Sequence, residues 1–159
     1  MKIKVPTSWS GVTLGQYIEL VDMKETDKPL DDFAYRIAIL SDNTMEYVKD
    51  TIKARQVNRY VARIEFIGSM PKVKNTRFFW FNLKCYKCDS IANTKGHQAV
   101  DILQSISNEE NEGRKILKVL STIYYRGNKS EFNQDYHDQM MKDFLELPMN
   151  VAYSATFFF

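Results

Sequence analysis

Two cysteines, Cys85 and Cys88, stand two residues apart, and the chain has two histidines, His97 and His137. A Cys-x-x-Cys pair does redox chemistry when it opens a helix, because the helix dipole lowers the thiol pKa. Here the neighbouring residues read as a strand or hairpin, which removes that advantage. A structural zinc ion needs four ligands. His97 and His137 would complete the count, but their spacing matches no standard finger. The reading kept is two ordinary thiols, with no metal and no cofactor. Neither histidine can be tied to a serine or cysteine as a nucleophile–base pair. The adjacent acids Asp31/Asp32 and Glu109/Glu110 point in different directions on a helix and share no site. They read instead as first-turn acids favoured by the helix dipole. The six glycines form no phosphate-cradling loop. These residues point away from an enzyme.

Charge is the stronger signal. The net charge of +2 hides a division. Residues 51–87 carry nine Lys/Arg and one acid, a net of +8, whereas residues 19–50 carry nine acids and four bases, a net of −5. Within the basic part, Arg55, Arg59 and Arg63 recur every four residues and would line one face of a helix. Such a face is either solvated or a contact for carboxylates or phosphates.

The elements that must position these groups are mostly helical. Thr13-Leu14-Gly15-Gln16 fits a capping box, with Leu14, Tyr17, Ile18 and Val21 following at helical spacing, so a helix over 14–23 is expected. Asp27-Lys28-Pro29 opens a second helix with Leu30, Phe33, Ala34, Ile37 and Ala38 on its apolar face. Asn43 or Thr44 caps a short third helix. A longer helix over 51–67 should bury Val57, Tyr60, Val61, Ile64 and Ile67. Gly68-Ser69-Met70-Pro71 ends it. Arg77–Leu83 has the aromatic content of a strand, and Tyr86 to Ile91 pairs with it across Lys84-Cys85 as a hairpin of uncertain register. Thr94 opens a further helix, and Thr94-Lys95-Gly96 weakly echoes Thr13-Leu14-Gly15, an internal repeat in outline only. Asn108 caps a helix over 109–125, another runs over 134–146, and Pro148 starts the last at its first position. The expected fold class is mainly α with a small β-hairpin, a helical bundle with one short two-stranded insertion. It is read as a single domain, 1–159, with an N-terminal helical half (1–70), an aromatic hairpin (77–92) and a C-terminal helical half (94–159).

Apolar residues make up 44% and charged residues 26%, enough for a core without disorder. No apolar run reaches the roughly 18–20 residues of a membrane span. The first residues lack the apolar stretch of a signal peptide, so cytosolic synthesis is the expectation. Two apolar features ask for cover. One is Phe78-Phe79-Trp80-Phe81, too apolar on both faces to be mainly a base-stacking platform. The other is the last segment, with Val151 and Phe157-Phe158-Phe159; side chains that each bury about 150 Å² or more sit poorly in water. That tail either fills a groove of its own domain or docks on a partner.

Two stretches carry a resemblance. The opening, Ile3-Lys4-Val5-Pro6-Thr7-Ser8-Trp9-Ser10-Gly11-Val12-Thr13-Leu14-Gly15-Gln16-Tyr17, resembles that of small baseplate-hub-assembly and tail-assembly-chaperone-like proteins of tailed phages. The closing Leu147-Pro148-Met149-Asn150-Val151-Ala152, with Ala155 and the Phe triplet, resembles their "LPM-x-VA…FF" segment. The resemblance implies no catalytic residues and no cofactor. It implies binding to other virion or tail proteins, in the host cytoplasm during assembly and then in the virion. The expected function is a non-enzymatic structural or assembly protein that docks by Phe78, Phe79, Trp80, Phe81, Val151, Phe157, Phe158 and Phe159, oriented by Arg55, Arg59 and Arg63. The alternatives are a transient tail-assembly chaperone and a nucleic-acid-binding module near packaged DNA. The acidic face of one copy meeting the basic face of the next would build a homo-oligomeric ring.

Overall fold

The computed structural model describes residues 3–74, 76–88, 100, 103–104, 106–126 and 134–156. The chain is mainly helical with one small sheet, as its periodicity predicts. The predicted capping box opens α1 (Leu14–Asp22): Gln16 N–H donates to Thr13 Oγ1 at 3.1 Å, and Thr13 N–H to Gln16 Oε1 at 3.0 Å. The Gln16 amide also donates to Ile39 O at 3.1 Å, tying α1 to the next helix. That helix, α2 (Pro29–Ser41), has Pro29 in its first turn with Asp31 and Asp32, and stops where Asp42 turns left-handed at φ 51°. α3 (Met45–Thr51) is capped by Thr44, whose side chain accepts from Tyr47 N–H.

The long helix expected over 51–67 is broken. α3 ends at Thr51, Ile52 and Lys53 are extended, and a 3-10 turn (Ala54–Gln56) leads into α4 (Val57–Ile64). Thr51-Ile52 is a β-branched pair of low helix propensity. Gln56 completes the break by accepting the Lys53 N–H at 3.0 Å, a new helix start that the spacing of arginines conceals. α4 is anchored by buried Tyr60, whose hydroxyl donates to Ile3 O at 3.2 Å.

The sheet has three antiparallel strands in the order β1 (Phe78–Phe81), β2 (Lys84–Cys88), β3 (Tyr124–Arg126). The hairpin turns at Asn82-Leu83, not at the expected Lys84-Cys85, so Phe81 faces Lys84 and Phe78 faces Lys87. The third strand was not anticipated. α5 (Glu112–Ile123) stops one residue short of Tyr124, and the chain runs directly on into β3. Its start also shifts, because Asn111 and not Asn108 is the cap. α6 (Gln134–Leu145) and α7 (Met149–Thr156) complete the described elements. The hairpin residues past Cys88, the start of the helix expected from Thr94, His97 and the Phe157–Phe159 tail lie outside the described residues.

The core draws on both helical halves and the sheet. Val12, Leu14, Ile37, Val48, Tyr86, Leu120, Phe144, Leu147 and Met149 are essentially inaccessible. The segment before α1 is stitched to the one before α7: Leu14 N–H donates to Leu147 O at 2.8 Å and Met149 N–H to Val12 O at 2.7 Å. No described helix is long and apolar enough to cross a membrane.

Candidate functional site

β1 alternates between burial and exposure. Phe79 is 6% exposed, stacked on Tyr86 with ring centroids 5.4 Å apart and set against Phe144 at 6.0 Å. Phe81 packs on the same core. Phe78 and Trp80 point the other way and are 59% and 70% exposed. The strand therefore does not need cover on both faces for its own folding, as its composition suggested. One face is core; the other is an aromatic pair left in water. Phe79 and, in large part, Phe81 are corrected from partner-binding residues to core residues.

Among the described residues β1 is also an edge strand, with β2 on one side only. Its tip adds a third exposed apolar group. Asn82 and Leu83 have φ 46° and 60°, the two positive values that a type I′ hairpin turn requires. Glycine is the preferred residue at the second position, yet Leu83 occupies it and is 98% exposed. An L-residue held left-handed costs roughly 1–2 kcal/mol. Burial repays none of that at Leu83. Leu83→Gly is thus expected to stabilise the fold by about 0.5–1 kcal/mol after the extra chain entropy of glycine is subtracted. Equilibrium urea unfolding measures this, and a destabilised variant would mean that Leu83 makes a contact the geometry lacks.

A polar bridge holds the hairpin on the helices. Asp143 of α6 accepts from Lys84 Nζ at 3.0 Å, Tyr86 Oη at 3.2 Å and Gln139 Nε2 at 2.9 Å. Burial acts to raise the Asp143 pKa, but the donors outweigh it, Lys84 foremost, and hold the carboxyl below its usual range. A carboxyl depressed in the folded state stabilises fully above its unfolded pKa, and the benefit is lost as pH falls through the lower folded value. Asp143→Asn is expected to cost about 1–2 kcal/mol at neutral pH. The gap from wild type should close as the solution is acidified below about pH 4. A pH-independent gap would assign the loss to packing.

Beneath the sheet, Tyr124 donates to Thr76 O at 2.8 Å and lies 3.3 Å from Ala155 O. Burial, and then the Cys88 thiol, push its phenol far above the ordinary value, so it serves as a neutral clamp between the lead into β1 and α7.

The other predicted groups do not converge. Cys85 and Cys88 form no disulfide and lie three positions apart on β2, so they face opposite sides of the sheet. Among the described residues no three His, Cys, Asp or Glu side chains cluster to hold a metal ion. His137 lies on α6 with Nδ1 3.7 Å from Asp138. The arginine ladder is shorter than its spacing implied: Arg59 and Arg63 share a face of α4, while Arg55 sits in the preceding 3-10 turn. None of the three forms an ion pair among the described residues. Beside them, α2 and α4 flank a groove of about 1020 Å³ with Pro29, Phe33, Val61, Ile64 and Ile67 in its lining and the Glu25–Arg36 ion pair among the polar groups. Val151 is half-buried and packs on the core, so the described part of the last segment folds back on its own chain.

Comparison with known proteins finds no matching family model, no similar curated protein and no similar solved structure. The functional reading therefore rests on the surface itself. Sequence reasoning found the aromatic run but missed Leu83. A hydrophobic residue beside Asn in a two-residue link was the available sign, hidden once the turn was placed two residues late.

Proposed function

We propose that this chain is a non-enzymatic assembly protein that works by docking on other proteins. The observation that carries this is the exposed trio Phe78, Trp80 and Leu83 on one hairpin. Scattered exposed apolar residues are ordinary, but large aromatics concentrated on one edge are the composition of binding hot spots. The strain held at Leu83 fits the same reading, since a turn residue that costs stability without gaining burial serves something outside the fold. The resemblance of the Ile3–Tyr17 and Leu147–Ala152 segments to tailed-phage proteins supports other virion or tail proteins as the partners, in a tail, baseplate or neck assembly.

Mass spectrometry of purified particles and of gradient-separated assembly intermediates tests the setting. Stoichiometric recovery in particles makes the chain a structural component, and recovery in intermediates alone makes it a transient chaperone. Expression during infection with recovery in neither counts against an assembly role. The ring expected from the division of charge has its own check: a monomer mass unchanged between low and high salt at high protein concentration would sink it.

A further inference from the structure

Resting on the docking role just proposed, the shape and charge of two surfaces narrow the partner to a second copy of this chain. The first surface is the outer face of the hairpin. Phe78 and Trp80 share it with Lys87, because Lys87 stands directly opposite Phe78 in the register. All three are exposed, and Leu83 carries the apolar surface on to the tip. Lys87 forms no ion pair among the described residues. The second surface is the groove beside α2 and α4. Pro29 and Phe33 line it from α2, Val61 and Ile64 from α4, and Ile67 from the 3-10 turn that follows. At about 1020 Å³ it matches pockets that enclose whole small molecules, so it has room for several side chains. Its charge is acidic in balance. Glu25 is neutralised by Arg36 at 2.7 Å, but Asp32 and Glu65, which also line the groove, pair with no cation among the described residues. Within one copy the hairpin does not fill this groove, since Phe78, Trp80 and Leu83 are not part of its lining.

Each surface holds what the other lacks. The hairpin offers large apolar side chains and a cation, and the groove offers apolar walls and carboxylates still open to a cation. Two hairpins packed face to face would instead set Lys87 against Lys87. A single-stranded nucleic acid could stack on Phe78 and Trp80. However, a single lysine on that face neutralises little phosphate charge, and phosphate contacts supply most of such binding. Nucleic acid also leaves Leu83 and the acidic groove without a part. We infer that the hairpin of one copy seats in the groove of the next, with Phe78, Trp80 and Leu83 on its apolar walls and Lys87 toward Asp32 and Glu65. Because the two surfaces differ, the contact is head-to-tail. Each copy uses its hairpin on one neighbour and its groove on the other, which builds a ring if the rotation closes and a filament if it does not. Three anchoring side chains make a small interface, so a single contact is expected to be weak, with a Kd of about 10–100 µM.

Two variants test the two halves of the contact. Trp80→Ala removes an anchor of the hairpin, and Val61→Lys sets a cation in the groove wall; both positions are exposed. Sedimentation velocity over a range of concentrations reads the assembly. The wild-type chain is expected to self-associate as its concentration rises, and each variant alone to weaken that association at least about thirtyfold. Lys87→Glu should weaken it about tenfold. Mixing decides the geometry. Trp80→Ala keeps its groove and Val61→Lys keeps its hairpin, so an equal mixture should form dimers and nothing larger. A mixture that stays monomeric overturns the inference. A wild-type chain still monomeric at about 1 mM overturns it too, while docking on other proteins stands. Loss of association in Trp80→Ala alone keeps the hairpin as a docking surface but overturns the groove as its seat. Loss in Val61→Lys alone gives the groove to another segment and overturns the hairpin as its occupant. Association unchanged in both variants overturns both surfaces. A single-stranded oligonucleotide that binds the wild type more tightly than a second copy does, and dissolves the assembly, gives the hairpin to nucleic acid and overturns the inference as well. Far-ultraviolet circular dichroism and thermal melting confirm that the variants fold; Phe78→Ala and Asn58→Lys replace either one that does not.

Discussion

Phe144→Ala is expected to destabilise the fold by about 3–5 kcal/mol, the cost of emptying an aromatic site in a core. Phe144 is 0% exposed, with ring centroids 5.0 Å from Tyr86 and 6.0 Å from Phe79. It is the point where α6 meets the sheet, so its removal leaves a cavity bounded on one side by strands that β1–β2 pairing already fixes. Collapse into the space is correspondingly hard. At about 2–4 °C per kcal/mol for a chain of this size, the melting temperature should fall by about 6–20 °C. Phe78→Ala is the internal comparison: the same chemical deletion, on the strand whose other face packs against Phe144 and at a position 59% exposed, should change stability by less than about 0.5 kcal/mol. Similar losses for the two would mean that the core and solvent faces of β1 are assigned the wrong way round.

The second large effect has an informative sign. Gly113 lies in the first turn of α5, where alanine ordinarily stabilises a helix by about 1 kcal/mol. Here a Cβ would stand 2.6 Å from Ile18 Cγ1 and 3.0 Å from Tyr17 Cδ1. Both neighbours are buried branch or ring atoms, not the free ends of flexible side chains. α1 would have to lift off α5. Asn111 beside it resists that movement, since its amide donates to Ile18 O at 3.1 Å and to Asp22 at 2.7 Å while its carbonyl oxygen caps Arg114 N–H at 3.0 Å. Gly113→Ala should therefore destabilise despite its helix propensity, and Gly113→Val should cost about 2–3 kcal/mol through overpacking. Thermal unfolding of the two variants decides it, and a stabilised alanine variant would show that the two helices stand further apart.

Local signals in the chain were readable where one residue settles one hydrogen bond. Thr13 and Gln16, Pro29 with Asp31 and Asp32, and Thr44 each specify a helix start, and each start is found there. Readings failed where two local outcomes compete. The spacing of Val57, Tyr60, Val61, Ile64 and Ile67 suggested one helix over 51–67, but Thr51-Ile52 and the Gln56 cap delay its start to Val57. Asn108 and Asn111 are both capping residues, and the choice falls to Asn111 because only there does the amide reach α1, a contact between residues far apart in sequence. β3 was invisible for the same reason: Tyr124–Arg126 becomes a strand because β2 is beside it. The candidate surface was half legible. Its aromatic residues stand out in the sequence, but which two of four face water depends on the register of a turn that nothing but the fold fixes.

The stitch between Val12–Leu14 and Leu147–Met149 bears on how the protein is made. Its two sides are separated by nearly the whole chain. At translation speeds of about 5–20 residues per second, Val12 and Leu14 would wait roughly 7–27 s for Met149 to be synthesised. Both are fully buried in the finished protein, and the cover that Leu147–Met149 supplies is missing during that interval. The nascent chain therefore leaves this side of an apolar N-terminal segment uncovered until residue 149 has been made. Closure of that segment should belong to the late, slow part of folding, where contacts distant in sequence must first overcome the entropy of the intervening loop.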